Sequence, residues 1–453
     1  MLTLGVAEDL QRRGHEVCVF TAYPNRAPSL AAERVEAYAY ESVRVVRFFH
    51  SHAPVGEQTA LTEVEYGNRV AAGLFADVVA KFKPDIVHFF HLNRLGGALI
   101  DVAVKAGIPA YYTPTDFWSI CQTAQLMLPG GKACLGPSAH AGNCVKHVAA
   151  LTQKPIVGEV LRLVPDAAAD MAVKLTAAGK LPAYRMSHEV TALHRRKDFL
   201  VRRLNWLHGI VSPTKIMTEM LTRHGVDGDL IVRAVYGIDL PQDDAAIATR
   251  GEREPLRVGY IGTLAPHKGC HVLIEAFRRL PPEKAILKIY GDLADFPAYA
   301  ADLRRKAENA PAITFCGTFP NTEIGKVLSD LHVLAVPSLW YENAPLVVYS
   351  ALAAKRPVLA SDLPGLSELV QDCWNGLLFP VGSVHALHER LTRLIANRPL
   401  LEALSRNCHK PKTLDAYVDE LLALYAKGPL RDVAKRDYHG LQDIESVATG
   451  VTF

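Results

Sequence analysis

The chain has 453 residues, 49% of them hydrophobic and 21% charged, with a net charge of +3. That length exceeds one ordinary hydrophobic core and predicts two domains, and the composition excludes a disordered or low-complexity protein. The charge is too mild to argue for nucleic acid, and the eight cysteines lack the dense spacing of a secreted disulfide scaffold.

Every apolar stretch is broken by charge or proline before it reaches membrane-spanning length, and no basic segment precedes an apolar one at the start. The expectation is a cytoplasmic protein, with contact at the inner face of the membrane left open.

The opening, MLTLGVAEDLQRRGHEVCVF, starts inside a helical pattern that runs directly into a strand. It predicts an N-terminal domain without a strand ahead of that helix. The segments HEVCVFTA, VRVVRFF, PDIVHFFH, IPAYYTPT and HGIVSPT then read as strands separated by amphipathic stretches. Such alternation predicts a parallel sheet with helices on both faces, spanning 1–240.

Residues 116–206 interrupt it as a long insertion, of the size that usually serves as a functional loop or lid. It carries Cys121, Cys134, Cys144 and His147, the last two at C-x-x-H spacing. Three thiols and an imidazole suit a structural zinc, although free buried cysteines fit the sequence as well. Further on, HRRKDFLVRRL places Arg195, Arg196, Arg202 and Arg203 on one helix face. A solvated surface or a contact with an anionic bilayer both follow from that pattern.

The polar stretch GIDLPQDDAAIATRGEREP, 237–255, reads as a linker. Beyond it LRVGYIGT, AILKIYGD, AITFCGT, HVLAVPS and RPVLASD repeat the strand grammar, giving a second doubly wound domain over 241–411. In VGYIGTLAPHKGCHVLIEAF, Gly262 ends a strand and Lys268-Gly269 precede a helix. A glycine turn at a helix N-terminus with an adjacent ammonium suits a phosphate, and a plain tight turn fits equally. In PSLWYENAPLVVYSALAAK, Glu342 lies in a loop before a second, Pro345-initiated helix. That carboxylate could complement the helix dipole or accept hydrogen bonds from sugar hydroxyls. TLDAYVDELLALYAK, within 412–427, reads as a final helix, and 428–453 as a tail on the surface or without order.

The ordered set GTLAPHKGCHVLIEAF, KIYGD, ITFCGTF, VPSLWYENAPLVVYSALAA, RPVLASDLPGLSELV and NGLLFPVG resembles the C-terminal domain of the retaining glycosyltransferases of family four, the glycosyl transferases group 1. RRGHEVCVFT, PDIVHFFHLNRLGGAL and IVSPTKIMTEMLTRHGV are similar to its N-terminal half. The resemblance implies the α/β GT-B fold, two Rossmann-like doubly wound parallel-sheet domains facing across a cleft, with the final helix crossing back to the first domain. It implies sugar transfer from a nucleoside diphosphate sugar to a saccharide or lipid-linked acceptor, in polysaccharide or glycolipid synthesis, with no cofactor needed for catalysis. On this chain it makes Lys268 the diphosphate ligand and Glu342 the acid near the donor sugar. Gly262, Thr263, Asn343, Ala344 and the amides of Leu346 and Val347 would line the donor, with its base near Tyr290, Gly291, Cys316 and Gly317. Some members resemble the cysteine stretch as well.

The pattern also departs from the family. Ser350 stands where a second glutamate normally meets the ribose, Thr263 where an arginine is common, and Thr115 where a histidine precedes Asp116, which lines the acceptor side. The family's first strand has no counterpart. A degenerate member that binds a nucleotide sugar or a partner without turnover is therefore the rival reading. A dinucleotide-dependent oxidoreductase is disfavoured, because no G-x-G-x-x-G follows a strand.

Overall fold

The computed structural model describes residues 2–23, 35–49, 58–128, 132–239, 246–251, 253–430, 438–442 and 444. Part of the linker, residues 240–245 and 252, and most of the tail, 431–437, 443 and 445–453, lie outside the described residues.

In the first half the order is α1 (Leu2–Arg12), β1 (Cys18–Ala22), β2 (Val35–Tyr40), β3 (Val43–Phe48), α2 (Leu61–Tyr66), α3 (Arg69–Phe82), β4 (Val87–Phe89), α4 (Ala98–Lys105) and β5 (Ala110–Tyr112). The insertion contributes α5 (Gly142–Thr152), α6 (Pro155–Leu163), α7 (Asp166–Ala177) and α8 (Ser187–Leu204). The half closes with β6 (Gly209–Ser212), α9 (Lys215–Arg223) and β7 (Ile231–Arg233). The β-branched runs became strands as their composition dictated. β2 escaped the sequence reading because VEAYAY lacks a continuous apolar face and is held as an antiparallel edge by β3.

The sheet of this half is in two pieces, β1-β3-β2 and the parallel β4-β5-β6-β7. Between the unpaired edges of β1 and β4 lies a space of about 1150 Å³, walled by Leu4 and Ala7 of α1, Phe20 of β1 and Phe89 of β4.

The second half runs β8 (Leu256–Ile261), α10 (Cys270–Phe277), β9 (Ala285–Tyr290), α11 (Pro297–Ala307), β10 (Ile313–Gly317), α12 (Ile324–Ser329), β11 (Val333–Val336), α13 (Leu346–Ala353), β12 (Val358–Ser361), β13 (Gly376–Phe379), α14 (Val384–Ala396) and α15 (Arg398–Arg406). Its six strands are all parallel, in the order β10-β9-β8-β11-β12-β13. That is the doubly wound order, with the reversal between β8 and β11. Both faces are buried, which is why β11 is a continuous apolar run and β12 is apolar up to its last residue, Ser361.

The final helix, α16 (Leu414–Lys427), packs on the first half. Arg13 of α1 donates to Asp415 at 2.7 Å, and the Tyr425 ring lies tilted against Tyr111 of β5 with centroids 4.9 Å apart. Tyr417 meets Tyr236 edge to face at 6.1 Å.

The arginine face of α8 is not a solvated surface. Only Arg195 and Arg202 of the four are exposed; Arg196 and Arg203 are buried. Arg196 donates to the Trp118 carbonyl. Arg203 Nε donates to Asp101 Oδ2 at 2.8 Å, with side-chain exposures of 1% and 0%, and its guanidinium lies 3.3 Å from the Phe199 ring centroid. The spacing expectation of one shared face splits: Arg195 and Arg202 share the outer side of the helix, and Arg196 and Arg203, one position further round, turn into the core. The tail is likewise not all loose: Arg203 also donates to the Gly440 carbonyl, and the Gln442 amide donates to Asp101, both at 3.3 Å.

Burial pushes the Asp101 carboxyl up and the Arg203 guanidinium down, each against the attraction of the other. Removing one partner therefore strands a buried charge. Arg203→Ala is expected to cost about 3–5 kcal/mol in urea unfolding, and Arg203→Met with Asp101→Leu much less than the sum of the two single changes. A single-variant loss under about 1 kcal/mol would contradict this account of the pair.

Candidate functional site

In an open doubly wound sheet, ligands sit beyond the carboxyl ends of the strands where the order reverses. Here the loops at that point are 262–269, after β8, and 337–345, after β11. They carry Lys268 and Glu342. Lys268 Nζ donates to Glu342 Oε1 at 2.8 Å and to Oε2 at 3.0 Å. Glu342 Oε1 also accepts from Ser338 Oγ at 2.6 Å and Trp340 Nε1 at 2.8 Å. With its side chain 5% exposed, this carboxylate is held by three donors, and Lys268 Nζ lies 4.7 Å from the Trp340 ring centroid. Ser338 and Trp340 were not singled out from sequence, because indole and hydroxyl partners within a loop leave no periodic signal.

Backbone geometry fixes both loops. Gly269 is left-handed (φ +70°), and a Cβ there would meet the Pro337 carbonyl oxygen at 1.9 Å. Gly365 (φ +87°) has the Glu342 carbonyl oxygen at 1.8 Å from where its Cβ would stand. Ala344 is also left-handed, at φ 54°, and buried. Such a conformation in a non-glycine residue stores local strain and clusters at functional loops.

Beside them, Gly262, Gly291 and Gly317 stand at the ends of β8, β9 and β10. The Gly262 amide donates to Tyr290 O at 3.0 Å and the Gly291 amide to Gly317 O at 2.9 Å. A Cβ on Gly291 would approach the Gly262 carbonyl oxygen to 2.4 Å, so this row is backbone on backbone. Thr263 is exposed and its carbonyl accepts from Tyr260 Oη at 2.8 Å. Tyr290 packs edge to face on Phe319 at 5.4 Å, next to exposed Cys316. Burial, then Cys316, pushes the Tyr290 phenol up to about 12. Leu346 and Val347 open α13, and Ser350 is buried one turn further along it.

The two halves meet over this site. Asn343 Nδ2 donates to the Pro114 carbonyl at 2.8 Å and its Oδ1 accepts from Thr214 Oγ1 at 3.0 Å. Glu368 accepts the Lys215 amide at 2.7 Å and Arg233 Nη2 at 3.1 Å, capping α9 from the other half. Gln125 Nε2 reaches His267 Nδ1 at 3.4 Å. Burial and then Lys268 hold the His267 imidazole down at about 4, so it is neutral near pH 7.

Next to Pro114, Asp116 Oδ1 accepts the Trp118 amide at 2.8 Å, a turn-capping bond. His91, from the loop after β4, places Nδ1 3.0 Å from Thr115 Oγ1 and 3.6 Å from Asp116 Oδ2. Burial raises the Asp116 carboxyl above the usual carboxylate range, with His91 opposing. An imidazole thus stands beside Thr115 although sequence position 115 lacks one. The HFFH run carried it, 24 residues away and invisible as a neighbour.

Cys121, Cys134, Cys144 and His147 line one cavity of about 10 Å³ in the insertion. All three thiols are free, and among the described residues no group of three or more His, Cys, Asp or Glu side chains is already set to hold an ion. Among the same residues, no helix is long and apolar enough to cross a membrane.

Comparison with known proteins gives this geometry a family. Residues 244–410 match the glycosyl transferases group 1 family, and residues 2–152 match the glycosyl transferase 4-like domain. The chain belongs to the group 1 glycosyltransferases. The amylovoran biosynthesis glycosyltransferase AmsK of Erwinia amylovora is 30% identical over 151 residues, 31% of this chain and 36% of that protein. The D-inositol 3-phosphate glycosyltransferase of Gordonia bronchialis is 26% identical over 246 residues, 50% of this chain and 53% of that enzyme. This glycosyltransferase thus spans about half, or less, of the length of these curated relatives. Its fold is GT-B: the HepE protein of Anabaena, solved with UDP and glucose, superposes with a TM-score of 0.57 at 14% identity, over 91% of this chain and 100% of that one.

Proposed function

We propose that this glycosyltransferase moves a sugar from a nucleoside diphosphate sugar to an acceptor hydroxyl with retention of configuration. The observation that carries the reading is the Lys268–Glu342 pair at the reversal point of the six-stranded sheet. Lys268 and the N-termini of α10 and α13 supply positive potential where a diphosphate would depart, and need no metal ion to do so. Glu342 would accept hydrogen bonds from the donor sugar, and Asn343 and Ala344 would shape the loop behind it. The row Gly262, Gly291 and Gly317, with Tyr290 and Cys316, would receive the base, and Ser350 would stand toward the ribose.

In the step proposed, the bond from C1 to the diphosphate oxygen breaks and a bond from C1 to the acceptor oxygen forms on the same face. The departing oxygen is then close enough to take the acceptor proton. Asp116, Thr115 and His91 line the acceptor side. Uridine is the first nucleotide to test, because the similarly folded Anabaena protein was solved with UDP. The match to an amylovoran biosynthesis enzyme supports a saccharide or lipid-linked acceptor in polysaccharide assembly.

A second reading, donor binding without turnover, rests on Ser350 and Thr263 and on Lys268 already being held by Glu342. Calorimetric titration of UDP, GDP and ADP, and of their sugars, separates the two. Micromolar binding with slow donor hydrolysis, abolished in Lys268→Ala, is expected. Ser350→Glu is expected to tighten binding by roughly tenfold to a few hundredfold, the worth of one or two charged hydrogen bonds. Binding in Ser350→Glu with a silent native chain would establish the second reading, and silence in both would overturn donor binding altogether.

We propose a contact with a membrane surface, carried among the described residues by α6. On α6, Ile156, Val160 and Leu163 are 67%, 57% and 80% exposed, with Lys154 beside them and Arg162 paired with Glu159 at 2.9 Å. Apolar side chains flanked by cations suit the interface of an anionic bilayer. Sedimentation with vesicles rich in phosphatidylglycerol is expected to fall at least tenfold in Ile156→Asp with Leu163→Asp; unchanged sedimentation would refute this contact.

A further inference from the structure

The small cavity in the insertion has a wall that nothing in the donor site uses. Three of its linings are thiols, Cys121, Cys134 and Cys144, and a fourth is the His147 imidazole; Leu128, Gly136, Pro137 and Asn143 complete it. At about 10 Å³ it accommodates one atom-sized occupant and no organic ligand.

The four groups arrive from three separate pieces of chain. Cys121 ends the turn after Trp118, its amide donating to Phe117 O at 2.8 Å. Cys134 follows a short hairpin closed by Leu128 N to Lys132 O and Cys134 N to Leu126 O, both 2.7 Å. Cys144 and His147 stand one turn apart on α5, and side chains at that spacing share a helix face. Asn143 ties the hairpin to α5: its Nδ2 donates to Gly136 O and its Oδ1 accepts from Ser138 N, both at 2.9 Å.

We propose that Cys121, Cys134, Cys144 and His147 form a structural zinc site. Three thiolates and one neutral imidazole make a closed tetrahedral set for a divalent, thiophilic ion, with bonds of about 2.3 Å to sulfur and about 2.0 Å to nitrogen. Among the described residues no three of these groups stand as a coordination sphere; in the proposal the ion draws the three thiolates and the imidazole together across the small cavity that all four line. Binding releases the three thiol protons to solvent. The ion cross-links the turn downstream of Asp116, the hairpin beside Gln125 and the first insertion helix. It thereby stiffens the segment that reaches His267 of the other half. It is structural, and takes no part in the transfer step.

The test uses the full chain, purified under reducing conditions. Elemental analysis after gel filtration is expected to give about one zinc per chain, and cobalt(II) in its place the near-ultraviolet thiolate-to-metal band and intense visible bands of a tetrahedral site. Cys134→Ser and Cys144→Ser are expected to lose both, His147→Asn to weaken cobalt binding at least tenfold, and the control Cys373→Ser, an exposed cysteine on the other half, to change neither. Should the cysteine variants fail to fold, the native chain still decides: a strong chelator is expected to remove the zinc and lower the thermal midpoint. A folded native chain that takes up no zinc from an equimolar solution overturns the proposal. So does full stoichiometry in both serine variants, or a disulfide among the three cysteines after rapid thiol blocking of the native protein.

Discussion

Glu342→Gln is expected to lower sugar transfer by roughly 100- to 1,000-fold, the range seen when one preorganised polar group is removed from a reacting centre. The amide keeps the shape but loses the charge that Lys268 Nζ, Ser338 Oγ and Trp340 Nε1 all address. Its NH₂ would also point a donor at one of those donors, so the loop loses a bond as well as a charge. Lys268→Ala leaves a carboxylate that is nearly inaccessible without its cation, and its loss should be of similar size. Because the two groups share one interaction, the double variant is expected to be little worse than either single one, a coupling of about 2.7–4.1 kcal/mol in the transition-state free energy, the size of one single loss. Steady-state release of the nucleoside diphosphate, with far-ultraviolet circular dichroism as the folding control, reads this directly. Retention of more than a third of the rate in folded Glu342→Gln would remove Glu342 from the reacting centre.

Gly365→Ala is the second change with a large expected effect, though residue 365 touches the site only through backbone. The residue is at φ +87°, where a Cβ is disfavoured, and that Cβ would press to 1.8 Å from the Glu342 carbonyl oxygen. Neither partner can yield as a flexible side-chain tip could, so the loop bearing Glu342 must move. Displacing a reacting group by about 1 Å can cost 100-fold. The expected outcome is a loss of that order in kcat, with destabilisation of about 1–3 kcal/mol from the left-handed backbone alone. Gly317→Ala is the comparison: it is left-handed too, at φ +72°, but nothing lies within 4 Å of its missing Cβ. If both alanines behave alike, backbone strain and not the position of Glu342 explains the loss.

Much of this protein was determined by sequence alone. β-branched runs and helical spacing specify local structure through short-range sterics, so the strands of both halves other than β2, β7 and β13, the turn at Gly269 and the helix after Pro345 were legible. So was the chemistry of the two loops, since Lys268-Gly269 before a helix and Glu342 before another are local patterns.

Tertiary structure decided what depends on contacts between distant residues. It joined Lys268 to Glu342, 74 positions apart, where sequence had placed each against a ligand separately. It brought His91 to Thr115 and Asp116, and Gly365 under Glu342. It also buried Arg196 and Arg203, because a helix pattern gives the angular position of a side chain but not the angle at which the helix meets its neighbours. The convergence of Cys121, Cys134, Cys144 and His147 on one cavity is of the same kind. Only Cys144 and His147 had spacing to announce them; the other two were delivered by a turn and a hairpin whose meeting no periodicity encodes.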